Sequence, residues 1–303
     1  MSDIQGARQM DMVEPVAGAT ATVPRGDLVL PVTLMPPDGL NSTSFTESLL
    51  RLYIQDAGRH LAPPMFTPTS PMQIAANRNR AAAFLLDETD AAWLLFIDSD
   101  MGFDSNALEL LLAAGSEERP IVGGLCFGMR KEESDGQGGF RSVPFPTIYQ
   151  FRADESGQGF HPRLDYPRDT VVQCAATGAA FLLIHRSALE KIRENLGDTW
   201  FERAKLTPES EVMGEDLSFC LRAGGLGIPV FVHTGVRISH LKPVWVGEDF
   251  YQDARVLAAL AVEAVEDDQD PCPRCTHTRT MHISSGCAVL VDGERCYCRG
   301  EVR

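Results

Sequence analysis

The sequence predicts an α/β fold, with apolar strands alternating with amphipathic helices around one core. Three observations predict it. Residues 92–97 are apolar at every position and close on Asp98, Ser99 and Asp100, as a strand buried on both faces of a parallel sheet does. Ser44 with Glu47, and Ser187 with Glu190, set a hydroxyl three residues before a carboxylate, the pattern of a helix start. These starts fall between the apolar runs, so strand and helix take turns along the chain.

In order, residues 1–26 are polar and aperiodic and read as a flexible tail. Residues 28–35 form an apolar strand, broken by Pro36, Pro37, Asp38 and Gly39. After Ser44, the residues Phe45, Leu49, Leu52 and Tyr53 share one helical face. Ser70, Pro71 and Gln73 start a second helix through Asn77, Arg78 and Ala83. The strand at 92–97 follows, then a helix from Asp104 with Leu108, Leu111 and Leu112 inward. Residues 120–125 are a strand, and the charged, glycine-rich stretch 130–145 reads as a mobile loop. Residues 179–184 are a strand, with a helix from Ser187. Residues 216–223 are helical and end at Gly224 and Gly225. Residues 228–233 and 236–240 are extended. Phe250, Ala254, Leu257, Ala261 and Ala264 make one stripe of a further helix, and the acidic 266–270 with Pro271 reads as a linker. The expected organisation is a tail at 1–26, one large domain at 27–248, a helix and linker at 249–270, and a small module at 271–303.

The 303 residues are 44% hydrophobic, enough for a substantial core, and carry a formal net charge of -15. That sign repels a phosphate backbone and argues against nucleic acid. A nucleoside diphosphate still binds where a divalent cation neutralises it locally. No run approaches the ~18 to 20 apolar residues that span a bilayer, and the N-terminus has no apolar signal core. These features predict a soluble, cytoplasmic protein.

Asp98 and Asp100 are two apart in an extended chain, so their carboxylates point the same way at the end of a buried strand. Ligands bind at the carboxyl ends of strands in open α/β sheets. Paired carboxylates there suit Mg²⁺ or Mn²⁺, although such a pair can also simply end a strand. Glu215 and Asp216 begin a helix, where acids cap the free N–H groups and meet the dipole favourably. Arg78 pairs with oxyanions through a planar fork, so a diphosphate or Asp98 is its natural partner. Asp38 is a turn former after the first strand.

Five of the eight cysteines fall in the last 32 residues. Cys272, Cys275, His277, His282, Cys287, Cys296 and Cys298 make seven potential zinc ligands. Cys272 and Cys275, with Cys296 and Cys298, are the best supported, and His282 and Cys287 come next. Seven can serve one tetrahedral site with spares, or two sites. So short a fragment has little core, so the metal would supply its folding energy, in a structural role.

Five stretches in order bring a resemblance. They are residues 94–101 around Asp98 and Asp100, residues 76–79 (Ala-Asn-Arg-Asn), residues 177–187 after Thr177-Gly178, residues 214–219 (Gly-Glu-Asp-Leu-Ser-Phe), and residues 236–240 ending in His240. Across 27–245 the chain resembles the GT-A glycosyltransferases, particularly family 2 and its relatives. It departs at Asn77, which interrupts the family's Ala-Arg-Asn. The resemblance implies a Rossmann-like α/β/α domain that moves a sugar from a nucleotide-sugar donor to the hydroxyl of a glycan, lipid or protein. It implies Asp100 and His240 as ligands of Mn²⁺ or Mg²⁺, with Asp98 near the ribose or the metal. Asp38 and Arg78 would lie on the donor, at the nucleobase and diphosphate. Asp216 would be the base of an inverting reaction, with Glu215 its alternative or an orienting group. In a retaining enzyme the same pair would bind the sugar. A sugar nucleotidyltransferase is the alternative enzyme, but residues 35–41 lack the basic residue its triphosphate loop needs. The non-enzymatic alternative is an interaction protein docked by its zinc module.

Overall fold

The computed structural model describes residues 28–36, 41–68, 73–134, 139–154 and 157–242, with four short strands between 282 and 295. The chain divides into two units, Met1–Lys242 and Pro243–Arg303. In the first unit the order is β1 (Val29–Met35), α1 (Thr43–Asp56), β2 (Met65–Pro68), α2 (Ile74–Glu88), β3 (Trp93–Asp98), β4 (Met101–Gly102) and α3 (Ala107–Ala114). There follow β5 (Ile121–Leu125), β6 (Phe127–Ser134), β7 (Gly139–Pro146), β8 (Ile148–Asp154), β9 (Gly157–Pro162), β10 (Val171–Cys174) and β11 (Ala176–Thr177). The unit closes with β12 (Phe181–His185), α4 (Arg186–Leu196), α5 (Glu215–Gly225), β13 (Val230–Arg237) and β14 (Ser239–His240). The second unit holds β15 (His282–Ile283), β16 (Gly286–Cys287), β17 (Leu290–Val291) and β18 (Glu294–Arg295).

Seven strands make one sheet in the order β10-β13-β5-β12-β3-β1-β2. Strand β1 runs parallel to β2 and β3, and β5 parallel to β13. Strand β12 lies antiparallel between β3 and β5. The sheet is therefore mixed, a correction to the parallel sheet expected from residues 92–97. That apolar run reports burial on both faces, and helices cover a strand equally well in either direction. Alternate residues divide the core: Leu94 and Phe96 face α2, α4 and α5, whereas Trp93, Leu95 and Ile97 face α1 and α3. The result is a helix–sheet–helix layering with the carboxyl end of β3 near the middle of the sheet.

The helix starts differ from expectation. Ser42, not Ser44, caps α1, accepting from Phe45 N at 3.0 Å. The chain offers hydroxyls at both positions, and the helix takes the earlier. At α4 the cap is His185, whose Nδ1 accepts from Ser187 N. Ser70 lies outside the described residues. Arg186 donates to the carbonyls of Leu85, Leu86, Thr89 and Ala91, and so satisfies the free carboxyl end of α2.

The stretch 130–145 is not a loop throughout. Strands β6 and β7 pair from Phe127↔Pro146 to Ser134↔Gly139. A ladder is held by backbone bonds, so a hairpin whose sequence is rich in charge and glycine carries little periodic apolar signal. Strands β11, β8 and β9 form a second small sheet, which the sequence reading did not separate. Residues 228–240, read as two extended pieces, are β13 with the short β14. Among the described residues no helix is long and apolar enough to cross a membrane. The tail at 1–26 and the stripe from Phe250 to Ala264 lie outside the described residues.

Candidate functional site

Strand β3 delivers Asp98, and α2 delivers Arg78 beside it. The Arg78 Nη2 donates to both Asp98 oxygens at 3.0 and 3.1 Å, and Nη1 donates to the Ala179 carbonyl at 2.9 Å. Its guanidinium lies 4.9 Å from the Phe96 ring centroid and 5.9 Å from that of Phe201, a cation–π setting. Arg78 is 2% exposed, whereas Asp98 keeps 21%. Burial raises the Asp98 pKa against the pull of Arg78, and the charges of Asp100 and Glu215 raise it further.

The second carboxylate, Asp100, leaves β3 and meets β14. Strand β14 pairs with β4 so that His240 lies opposite Met101. The His240 Nε2 is 2.9 Å from Asp100 Oδ2, and Nδ1 is 2.8 Å from the Phe127 carbonyl. A carbonyl only accepts, so Nδ1 carries a hydrogen. A carboxylate also only accepts, so a neutral ring would turn a lone pair on Nε2 toward another lone pair. The contact is satisfied by a second ring proton or by a cation between the two atoms. Burial pushes Asp100 up, but the His240 bond and the charges of His240 and Lys242 outweigh it and hold Asp100 below the ordinary range. Lys242 Nζ is 3.7 Å from Asp100 Oδ2. A Cβ on Gly102 would lie 2.5 Å from Ser239 Oγ, so glycine is what lets β4 and β14 approach. A cavity of about 490 Å³, lined in part by Ser44, Ser48, Gly102, Phe127 and Ser239, flanks the pair.

Helix α5 supplies the third part. Its cap is Gly214, and Glu215 and Asp216 fill the first turn. Asp216 Oδ1 accepts from Leu217 N at 2.8 Å. Its Oδ2 lies 3.7 Å from where a Cβ on Gly178 would stand, with Thr147 Oγ1 at 3.5 Å from the same point. Burial, then the neighbouring Glu215 charge, pushes the Asp216 pKa up to about 6. Glu215 lies between two guanidinium groups, 3.7 Å from Arg78 Nε and 3.9 Å from Arg203 Nη2.

Six of the residues singled out in the sequence therefore gather at one end of the sheet: Arg78, Asp98, Asp100, Glu215, Asp216 and His240. Asp38 lies outside the described residues. Arg78 meets Asp98, the second of its two expected partners, and its burial leaves it no open side for a diphosphate. The sequence reading missed Lys242 and Arg203; Lys242 sits two residues past His240, on the face a strand would share with it. Cys272, Cys275, His277, Cys296 and Cys298 lie outside the described residues. His282 and Cys287 occupy directly opposed positions of the β15–β16 pair. Among the described residues no group of three or more His, Cys, Asp or Glu is arranged to hold a metal ion by itself.

No protein-family model matches the chain, and no curated protein matches it. Many solved structures match the chain, three of them as follows. A197 from STIV is 16% identical with a TM-score of 0.39, over 71% of this chain and 86% of that one. GalNAc-T7, solved with UDP, GalNAc and Mn²⁺, is 13% identical with a TM-score of 0.39, over 73% of this chain and 38% of that one. The inositol-1-phosphate CTP transferase from T. maritima is 10% identical with a TM-score of 0.38, over 75% of this chain and 95% of that one. Likeness at this level assigns neither a family nor an activity.

Proposed function

We propose that this chain is a metal-dependent glycosyltransferase of the GT-A type, moving a sugar from a nucleoside-diphosphate donor to an acceptor hydroxyl. One observation carries the reading. The His240 ring, fixed by its Nδ1 bond to a carbonyl, aims Nε2 at Asp100 Oδ2, and these two groups would together hold a divalent cation. A ring nitrogen held this way by a backbone carbonyl is typical of metal-ligating histidine. Two protein ligands are few for a cage but fit an ion whose remaining positions go to waters and phosphate oxygens. When bound, Mn²⁺ or Mg²⁺ supplies Lewis-acid stabilisation of the departing diphosphate.

The chain's own residues do the rest. Asp98, braced by Arg78, presents a carboxylate to the donor ribose. Asp216 takes the acceptor proton as the acceptor oxygen bonds the anomeric carbon and the diphosphate leaves with the bonding pair. A carboxyl titrating near 6 is ionised at neutral pH and more basic than an ordinary aspartate, which suits a general base. Glu215 orients the acceptor.

The test is release of nucleoside diphosphate from a panel of nucleotide-sugars with Mn²⁺ and no acceptor. Release from one donor, lost with EDTA, is expected. Asp100→Ala should weaken the apparent Mn²⁺ affinity by at least about 10–100-fold. Silence across the panel, with no metal-dependent nucleotide binding, overturns the reading in favour of a zinc-bearing interaction protein. A panel of nucleoside triphosphates with sugar phosphates run alongside would instead identify a nucleotidyltransferase.

Gly214 offers a separate check on the base. A Cβ there would stand 2.8 Å from Asp216 Oδ1. The carboxylate can swing away at little cost to the fold, but it then leaves its bond to Leu217 N. Gly214→Ala should therefore lower turnover by about 10²-fold, as a displacement of about 1 Å can do, with the melting temperature nearly unchanged.

We further infer a structural zinc module in the C-terminal segment, drawn from Cys272, Cys275, His282, Cys287, Cys296 and Cys298. The backbone register sets His282 opposite Cys287, which supports counting both among the candidate ligands. The purified chain should carry zinc, and a chelator should abolish the chemical-shift dispersion of residues 272–298. Purification without zinc, with those signals unchanged by chelator, would refute the module.

A further inference from the structure

Arg78 is the largest buried charged group of the site, and part of it has no partner. Its Nη2 and Nη1 are engaged by Asp98 and the Ala179 carbonyl. Its Nε is buried and makes no hydrogen bond. Buried donors are nearly always paired, so an orphan calls for a reason. The acceptor this Nε faces is Glu215 Oε1 at 3.7 Å, about 0.8 Å longer than an ordinary N–H···O bond. The other Glu215 oxygen is 3.9 Å from Arg203, a half-exposed cation. Glu215 is thus shared between a fixed guanidinium and one at the surface. At 2% exposure Arg78 cannot touch a substrate, so whatever it does for chemistry passes through the residues it holds.

We propose that Arg78 is a positioning residue that spans the site, bracing Asp98 through Nη2 and restraining Glu215 beside Asp216 through Nε. This role rests on Asp216 being the base. A planar fork is required because Asp98 and Glu215 are reached through different nitrogens of it, Nη2 and Nε, and a lysine ammonium is a single point charge. Phe96 and Phe201 hold the plane in register. The groups that act on Asp216 are Glu215 on its own helix, Arg78 from α2 and Asp98 from β3. Asp216 in turn acts on Tyr149 from β8 and on Cys220 one helical turn along α5. Arg203 reaches the cluster through Glu215. Against the carboxylates Glu215 and Asp98, Arg78 is the cation that favours an ionised Asp216. Where it holds Glu215 therefore sets how strongly that neighbour opposes ionisation.

The experiment is a ¹³C-carboxyl titration of Asp216 in the full chain, without metal or nucleotide, assigned with Asp216→Asn. Glu215→Gln should lower the midpoint, by loss of a like charge. Arg78→Lys should raise it by about one pH unit, because the cation withdraws toward Asp98 and Glu215 loses its restraint. In the Arg78→Lys, Glu215→Gln double variant most of that rise should vanish, since the restrained group is gone. An equal rise in both backgrounds overturns the role, leaving Arg78 a mere distant charge. No rise in either also overturns it, leaving Arg78 a partner of Asp98 alone. Should Arg78→Lys fail to fold, the Arg78 Nε–H resonance carries the test. It should move in Glu215→Gln, and an unchanged position overturns the role. None of these readouts needs turnover. A chain that cleaves no sugar nucleotide but shows the coupling loses the transferase reading, and with it the base, while the link from Arg78 through Glu215 to Asp216 stands. A chain that turns over without the coupling loses this one alone.

Discussion

Asp216→Asn is expected to lower acceptor-dependent turnover by on the order of 10²–10⁴-fold, the usual contribution of a general base. Asparagine keeps the oxygen that accepts from Leu217 N, so the start of α5 is preserved. Metal-dependent binding of the donor should persist, because the charges that act on Asp216 are Glu215, Arg78 and Asp98 rather than the Asp100–His240 pair. The wild-type rate should fall as pH drops through about 6, where burial and Glu215 place the Asp216 titration. The same group makes a stability prediction of opposite sense. Its folded pKa lies above its unfolded value, so its stabilising contribution is complete below the ordinary aspartate pKa and is lost as pH rises through 6. At pH 7 to 8 the ionised carboxylate is a cost that asparagine removes. Asp216→Asn should then be the more stable protein by about 1–2 kcal/mol, partial exposure screening part of the shift. Urea titrations at pH 4 and pH 7.5 check this. The gap should open only at the higher pH, and a variant less stable than wild type at both would contradict it.

Arg78→Met should destabilise the fold by about 3–5 kcal/mol, as breaking one side of a buried ion pair does. The change strands Asp98 and leaves the Ala179 carbonyl without its donor. It also removes a cation packed over Phe96. The matched control is the double variant Arg78→Met, Asp98→Asn, in which no charge is stranded. It should recover much of the loss, and the difference measured by urea unfolding gives the coupling of the pair. If Arg78→Met alone unfolds at the wild-type urea midpoint, the ion pair contributes nothing to the fold.

Much of the site was legible in the sequence because its residues end elements. Asp98 and Asp100 close an apolar strand, Glu215 and Asp216 open a helix, and His240 ends an extended run. Each position is fixed by a local pattern, and the sheet brings them to one place. What was not legible depends on partners far away in the chain. Nothing local says that Arg78 turns inward, since a helix arginine reads as a surface residue until Phe201 and Glu215 are folded over it. The direction of β12 was hidden for a similar reason: its residues are apolar in either sense. The hairpin β6–β7 was hidden because backbone ladders leave little trace in composition. Helix starts lie two residues earlier than the sequence pattern places them where Ser42 and Ser44, or His185 and Ser187, compete for the cap. At Asp38 and the cysteines outside the described residues, the reading still rests on spacing alone.

The place of β12 has a consequence in time. It fills the gap between β3 and β5, yet it follows both in the chain. During synthesis the first 125 residues emerge with two of their strands lacking the neighbour that joins them. Contacts of this separation form slowly, because a long loop must close before they are rewarded. The pair Asp100 and His240 is separated by 140 residues and waits longer still. The nascent chain thus acquires much of its sheet well before Asp100 meets His240, and a ribosome-stalled fragment ending before residue 230 would gain protease resistance in α1–β3 without gaining the metal-dependent nucleotide binding proposed for that pair.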